Sequence, residues 1–345
     1  MTKTQAPIGN VVMPNEAWLA KQSPEDIIEP DLPIVDPHHH LWDRADNRYM
    51  LDELLADTGS GHNVLATVFV ECLAFYRQDG PDELKSVGET EVANGVAAMA
   101  ASGAYGKTRA CAAISSFANL QAGARAREIL QAHIAAGNGR LRGIRHAGGW
   151  DASDQIRNSH THPPQGLYGD REFREGFAQL KPLGLLFEAW QFHPQLPEVI
   201  DLARAFPDTS IVLNHVGGPL GIGPYAGKSE ETFAGWKRHM SELARSPNVT
   251  VKLGGLGMRI GVFDHHKREV PPTSQALADG WRPWIDTTIE LFGAERCMFE
   301  SNFPVDKITT GYAVLWNAFK RLAAGASATE KTALFSGTAS RVYRI

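Results

Sequence analysis

Residues 34–43 read IVDPHHHLWD. Two β-branched apolar residues, Ile34 and Val35, run straight into an acid, a proline and three adjacent histidines. β-Branched residues suit a strand, and side chains alternate along one. Asp36, His38 and His40 are therefore expected on one side, with His39 facing away to anchor the strand end. Two imidazoles two residues apart at a strand end can aim at one point, where they can hold a metal or polarise a carbonyl.

The same grammar recurs along the chain. Short apolar runs read as strands over 33–38, 65–71, 108–115, 141–147, 184–192, 209–215, 248–255 and 296–301. Helical patterns fall between them, near 48–57, 87–102, 119–136, 171–181, 196–206, 231–245, 279–292 and 311–323. Such alternation predicts an α/β fold, a (β/α)8 TIM barrel. An open doubly wound sheet is the alternative, but no G-x-G-x-x-G follows the first strand. A further helix near 328–341 closes the chain. Residues 1–30 read as a short N-terminal arm and 31–345 as a single barrel domain.

Bulk composition narrows the function classes. A net charge of −5 and the lack of a basic block argue against nucleic acid as a partner. No apolar run approaches a membrane span, and the first residues lack the apolar core of a signal peptide. The three cysteines, Cys72, Cys111 and Cys297, are widely spaced. They read as reduced thiols in a cytoplasmic protein.

In a parallel barrel the strands are buried on both faces, and active sites sit at their C-terminal ends. Polar residues in or just after the strands thus become the candidates. They are Glu71 after strand 2, Arg145 and His146 on strand 4, and Glu188 and Trp190 on strand 5 with His193 just beyond. Asn214 and His215 end strand 6, Lys252 lies on strand 7, and Glu300, Ser301 and Asn302 end strand 8. Glu188 between apolar neighbours is costly unless paired or functional. An ion pair with Arg145 or Lys252 is its structural alternative. No G-x-S-x-G elbow or phosphate loop occurs.

These motifs resemble the amidohydrolase superfamily. D-x-H-x-H at Asp36, His38 and His40 is similar to its strand-1 signature. HHHLWD, GIRH, FEAWQFHPQLPEVIDLARAFPDTSIVLNHVGGP, VTVKLGGLGM and CMFESNFPVDK resemble the TIM-barrel amidohydrolase-2 group, which includes sugar-acid and pyrone-dicarboxylate lactonases. The resemblance implies that His38, His40 and His215 surround a scissile carbonyl and that Arg145 helps bind an anionic group. It also implies a strand-8 aspartate as general base, but this sequence has Asn302 there. An amide cannot abstract a proton near neutrality, although it can orient water. Glu188, Glu300 and Glu71 are the acids that could take over, with Glu188 favoured because burial raises a carboxyl pKa.

Metal use stays open at this point. His38, His40 and Glu188 could form a three-ligand site for one divalent ion, zinc or manganese. The resemblance equally implies metal-free members in which histidines alone polarise the ester, so no cofactor is the other reading.

Long loops at 148–170, 217–228 and 255–274 supply specificity walls, with His160, His162, Tyr168 and Tyr225 among their residues. Asp264, His265 and His266 read as solvent-exposed. The expected substrate pocket includes Arg145, His146, Trp190, His193, Glu71 and Tyr225, and the aromatics suggest a partly apolar small molecule. The leading expectation is a hydrolase opening a lactone or ester. The alternatives are a non-oxidative decarboxylase and an inactive ligand-binding barrel. A homo-oligomer is left open.

Overall fold

The computed structural model describes residues 13–45 and 47–345. Eight strands form one parallel sheet: β1 (Pro33–His39), β2 (Asn63–Val70), β3 (Arg109–Ser116), β4 (Leu141–Arg145), β5 (Leu186–Ala189), β6 (Ile211–Leu213), β7 (Val249–Leu253) and β8 (Cys297–Phe299). They are hydrogen-bonded in sequence order. Past the last strand, the backbone closes the ring: Asn302 N donates to His38 O at 2.9 Å and His40 N to Phe303 O at 2.8 Å. This is the (β/α)8 barrel the sequence predicts.

The crossovers carry α1 (Leu51–Thr58), α2 (Val87–Ala101), α3 (Ala126–Gly137), α4 (Arg171–Phe177), α5 (Leu196–Ala205), α6 (Ser229–Leu243), α7 (Ser274–Phe292) and α8 (Tyr312–Leu322). The predicted closing helix forms in pieces, α9 (Ala328–Thr332), one wide turn over Ala333–Gly337, and α10 (Thr338–Tyr343). The main core lies between the strands' outer faces and the helices, with Ile34, Phe187, Val251, Trp236 and Trp316 fully buried there. A second apolar layer fills the lower lumen. Val35, Val68, Ala113, Leu186, Val212 and Met298 pack there against Ala339 and Tyr343 of α10. The C-terminal helix is thus the barrel's floor.

That floor sets the height of everything above it. Two residues beyond Leu186, Val212 and Met298, the alternation puts Glu188, Asn214 and Glu300 into the next layer up. The strand-end residues stand above those.

One alternation fails. The β1–β2 register shifts between Asp36 and His39, and such an irregularity resets which face a side chain takes. Asp36, two residues from outward-facing Ile34, still faces outside, where it accepts hydrogen bonds from Tyr312 Oη at 2.9 Å and Ser301 N at 3.0 Å, and the shift beyond it turns His38 inward. Asp36 ties β1 to α8 and the β8 end and does not share a face with His38. Among the described residues, no helix is long and apolar enough to cross a membrane. Cys111 and Cys297 are buried, Cys72 is half-buried, and all three are free.

Candidate active site

The strand ends and the loops after β4, β6 and β7 enclose a cavity of about 350 Å³, within the range of small-molecule sites. His40, Arg145, His160, His215 and Asn302 bring polar atoms to it, and Trp42, Trp190 and Phe192 supply apolar wall.

His40 is held by its own strand's neighbour. Its Nδ1 lies 2.8 Å from Val70 O, so Nδ1 carries the proton and donates to that carbonyl. The tautomer is fixed, and Nε2 is left as an acceptor with no partner among the described residues. Burial and nearby Arg145 push its pKa well below the usual imidazole range, so the ring is neutral at neutral pH.

His215 sits in a strained backbone, with φ of 54°, a region that non-glycine residues rarely adopt outside functional sites. Its Nδ1 is 2.7 Å from Glu300 Oε1, and its backbone N donates to the same oxygen at 3.1 Å. Two glycines after β7 make the room. A Cβ on Gly255, whose φ is +69°, would lie 2.5 Å from the His215 ring, and one on Gly254 would lie 2.5 Å from Glu300 Cγ.

His38 lies beneath these two, fully buried. Arg145 Nη1 approaches its Nε2 at 3.3 Å. Lys252 Nζ lies 3.3 Å from its Nδ1, so each ring nitrogen faces a group that only donates. That Nδ1 is 2.7 Å from Glu300 Oε2. Among the described residues Oε2 makes no hydrogen bond. His39 points away, with Nε2 2.9 Å from Thr67 Oγ1.

The charged groups that meet His38, with their ion-pair partners, can be counted. Arg145 pairs with Glu71, its Nε donating to Oε1 at 2.6 Å. Lys252 pairs with Glu188 at 2.6 Å. Two cations balance two carboxylates, and Glu300 is left over. Burial pushes Glu300 up to about 8, with the neighbouring Glu188 adding to the rise against Lys252 and Arg145. Burial, Arg145 and Lys252 push His215 well down. The pair therefore shares one extra proton at neutral pH. It can sit on Glu300, donating to Nδ1, or on Nδ1 itself. In both arrangements His215 Nε2 bears hydrogen and can donate to the cavity.

Asn302, also at a positive φ of 54°, donates from Nδ2 to Asp306 Oδ1 at 2.9 Å. Its carbonyl oxygen is thereby the atom left for the cavity. Burial raises Asp306 to about 8.

The structure reassigns several sequence candidates. Glu188 is not grouped with His38 and His40 at the mouth. It lies one layer below the mouth, fully buried, and accepts from Lys252, from Asn214 Nδ2 at 2.7 Å and from Tyr343 Oη at 2.7 Å. Burial raises its pKa, but Lys252 and these bonds outweigh that and leave it below the usual value. Glu71 likewise is a holder, bound by Arg145 and by His160 Nε2 at 2.9 Å. Burial raises Glu71, and His160 and Arg145 reverse that to leave it well below the usual range. His146 Nδ1 accepts from Leu120 N at 3.3 Å and His193 Nδ1 from Leu220 N at 3.2 Å. Both cap loops outside the cavity. Tyr225 Oη donates to Asp151 and its ring packs on His193. Tyr168 is core, its hydroxyl spent on the carbonyls of His146 and Trp190. His265 is buried, stacked on Phe263, not exposed. Arg145, Trp190, His40, His215 and Asn302 do reach the cavity. Gln155, Arg157 and Arg259 line it too, and only their place in long loops hinted at that.

Among the described residues, His38, His215 and Glu300 have ligand atoms within 4.8 Å of one another. Two imidazoles and a carboxylate are donors that a divalent ion such as zinc takes, and the unpartnered Glu300 Oε2 suits a ligand role. A bound cation would stand in for the shared proton.

The chain matches the family model described as Amidohydrolase over residues 35–345. It is 31% identical to an uncharacterised protein of Sinorhizobium fredii, across 91% of this chain and 99% of that one. It is 28% identical to an L-fucono-1,5-lactonase of Burkholderia multivorans, over 51% of this chain and 57% of the relative. An amidohydrolase from Burkholderia multivorans solved with bound zinc superposes with a TM-score of 0.67 at 25% identity, covering 90% of this chain and 99% of that one.

Proposed function

The chain belongs to the amidohydrolase family, and on that footing we propose that it opens a lactone or carboxylic ester with water. We read residues 31–345 as the catalytic barrel and residues 1–30 as an arm. The observation that carries the reading is two imidazoles held differently at one cavity: His40 Nδ1 is bound to Val70 O, which leaves Nε2 to accept, and His215 Nδ1 is 2.7 Å from Glu300, whose pKa burial raises to about 8, so that Nε2 is assigned as the donor. Titratable groups whose environments set them apart in this way serve as base and acid.

The substrate carbonyl oxygen lies against His215 Nε2–H, whose proton is supplied by the Glu300 pair. Water is oriented by the Asn302 carbonyl, and His40 Nε2 takes its proton as oxygen attacks carbon. The negative charge that develops on the carbonyl oxygen is met by His215, an arrangement worth about 2.7–4 kcal/mol for one such donor. Arg145 holds His38, and His38 in turn faces Glu300, so this donor is fixed before substrate arrives. When a divalent ion is bound, His38, His215 and Glu300 would hold it, and it would supply Lewis-acid polarisation of the same carbonyl. Asn302 is consistent with this scheme because the base is elsewhere.

The wall of Trp42, Trp190, Phe192 and Met258, with Arg259 at the side, favours a lactone carrying an apolar ring or chain over a bare sugar acid. A pH-indicator screen against sugar, aliphatic and aromatic lactones tests the reading, run beside His40→Gln. Acid release that falls about 100-fold or more in the variant supports it. Acid release unchanged in the variant removes His40 as base, and none from any lactone with wild-type protein removes the hydrolase.

A further inference from the structure

Lactone opening has a third proton requirement. When the tetrahedral intermediate collapses, the C–O bond breaks and its electron pair goes to the departing oxygen, which must be protonated. We propose that His160 is the general acid that gives this proton; the inference rests on the hydrolase reading above.

His160 comes from the long loop after β4 and lines the cavity. Its Nε2 lies 2.9 and 3.0 Å from the two oxygens of Glu71. That carboxylate is fully buried and is fixed from behind by two bonds from Arg145, Nε to Oε1 and Nη2 to the backbone oxygen, both 2.6 Å. A carboxylate in this place accepts the Nε2 proton, so Nδ1 is the ring nitrogen left over. Among the described residues Nδ1 has no partner, and the side chain keeps 14% of its surface open. The geometry is that of a second carboxylate–imidazole pair beside the same cavity as Glu300 and His215. A carboxylate behind an imidazole orients it.

The two pairs are also joined. His160 meets Glu71, Glu71 holds Arg145, Arg145 reaches His38 at 3.3 Å, and His38 Nδ1 faces Glu300 Oε2 at 2.7 Å. The loop that closes the cavity is thus anchored to the same charged chain that sets the carbonyl donor.

The protons balance. His40 removes one from water and His160 delivers one from Nδ1 to the leaving oxygen. Lactone and water give a hydroxy acid. His40 then loses its proton to solvent as His160 regains one, and the acid ionises.

A general acid matters most when the leaving oxygen is strongly basic. An alkoxide is several powers of ten more basic than a phenoxide, so the test compares an alkyl lactone, δ-valerolactone, with an aryl lactone, dihydrocoumarin. His160→Gln keeps an N–H for Glu71 but has no acid. The expected result is a fall in kcat/KM of about 100-fold or more on the alkyl lactone and several-fold at most on the aryl one, with an unchanged melting temperature. Equal losses on both would make His160 a loop anchor only, and no loss on either would remove it from catalysis; each overturns the proposal. His160→Asn, expected to show the same disparity, serves if the Gln variant does not fold. If wild-type protein opens neither lactone, the hydrolase reading fails and this role falls with it. Wild-type turnover without the disparity sinks His160 alone.

Discussion

Glu188→Gln separates two accounts of the most conspicuous acid in the barrel strands. Glu188 and Lys252 are both fully buried and 2.6 Å apart. At an effective dielectric constant near 20, unit charges at that separation attract by about 6 kcal/mol. The glutamine keeps partners for Tyr343 and Asn214 but strands the Lys252 ammonium in the lumen. Breaking a buried pair in this way costs about 3–5 kcal/mol. For 345 residues, an unfolding entropy of about 2.1 cal/mol/K per residue turns this into a melting temperature lower by about 4–7 °C. Glu188→Gln with Lys252→Met removes both charges and should recover most of the loss, since apolar replacements of buried pairs are often neutral. Differential scanning calorimetry gives the melting temperatures, and turnover of the best lactone from the screen is read on the same preparations. The double variant is expected to keep turnover within about tenfold, because neither residue reaches the cavity. A Glu188→Gln protein with an unchanged melting temperature and turnover cut 1,000-fold would refute the structural role and restore Glu188 as a base.

Stability should fall as pH rises from about 7 to 9, above the range in which the buried histidines, held neutral by burial, add stability as pH rises. Burial raises Glu89 to about 8, along with Glu300 and Asp306. A carboxyl whose folded pKa is raised stabilises the fold below its unfolded value and loses that contribution as pH climbs through the folded one, so melting temperatures that rise over this window would contradict the burial argument. Zinc added to the protein should bind more tightly at pH 8.5 than at 6.5, because it competes with the proton shared by Glu300 and His215. Calorimetric titration in buffers of different ionisation enthalpy reads the proton release, and binding that survives His215→Ala unchanged would place the ion elsewhere.

The barrel was legible because its strands are buried on both faces and separated by clear helical periods. The strand-end rule also located His38, His40, His215 and Asn302. It could not tell the mouth from the layer beneath, since alternation fixes a side chain's face but not its height. Glu188 was misplaced for that reason, and the Tyr343 hydroxyl that helps hold it arrives from the far end of the chain. Lys252 was in view as one of two partners for Glu188, and only the register of β5, β6 and β7 chooses it over Arg145. His146 follows the polar end of β4 by one residue and His193 lies four residues past the end of β5, and both cap loops. A β1 irregularity just after Asp36 separates its face, shared with Ile34, from that of His38. His160 lies in a loop 15 residues past the end of β4, and its bond to Glu71 and its place on the cavity wall distinguish it from the loop's other histidine.

The pH dependence of kcat/KM for opening of the aryl lactone, which makes little demand on a leaving-group acid, measured on wild type and Glu300→Gln, tests the central claim most directly. His215 donates while the Glu300 pair holds its extra proton, below about 8. His40 remains a free base down to well below 6.5. The wild-type rate is therefore predicted to be level through neutrality and to fall above about pH 8. Glu300→Gln, whose amide donates to His215 Nδ1 at every pH, should keep its rate level past that point. A wild-type rate that climbs through pH 8 would mean that Glu300 and His215 work as a base, and the assignment of donor and acceptor would be reversed.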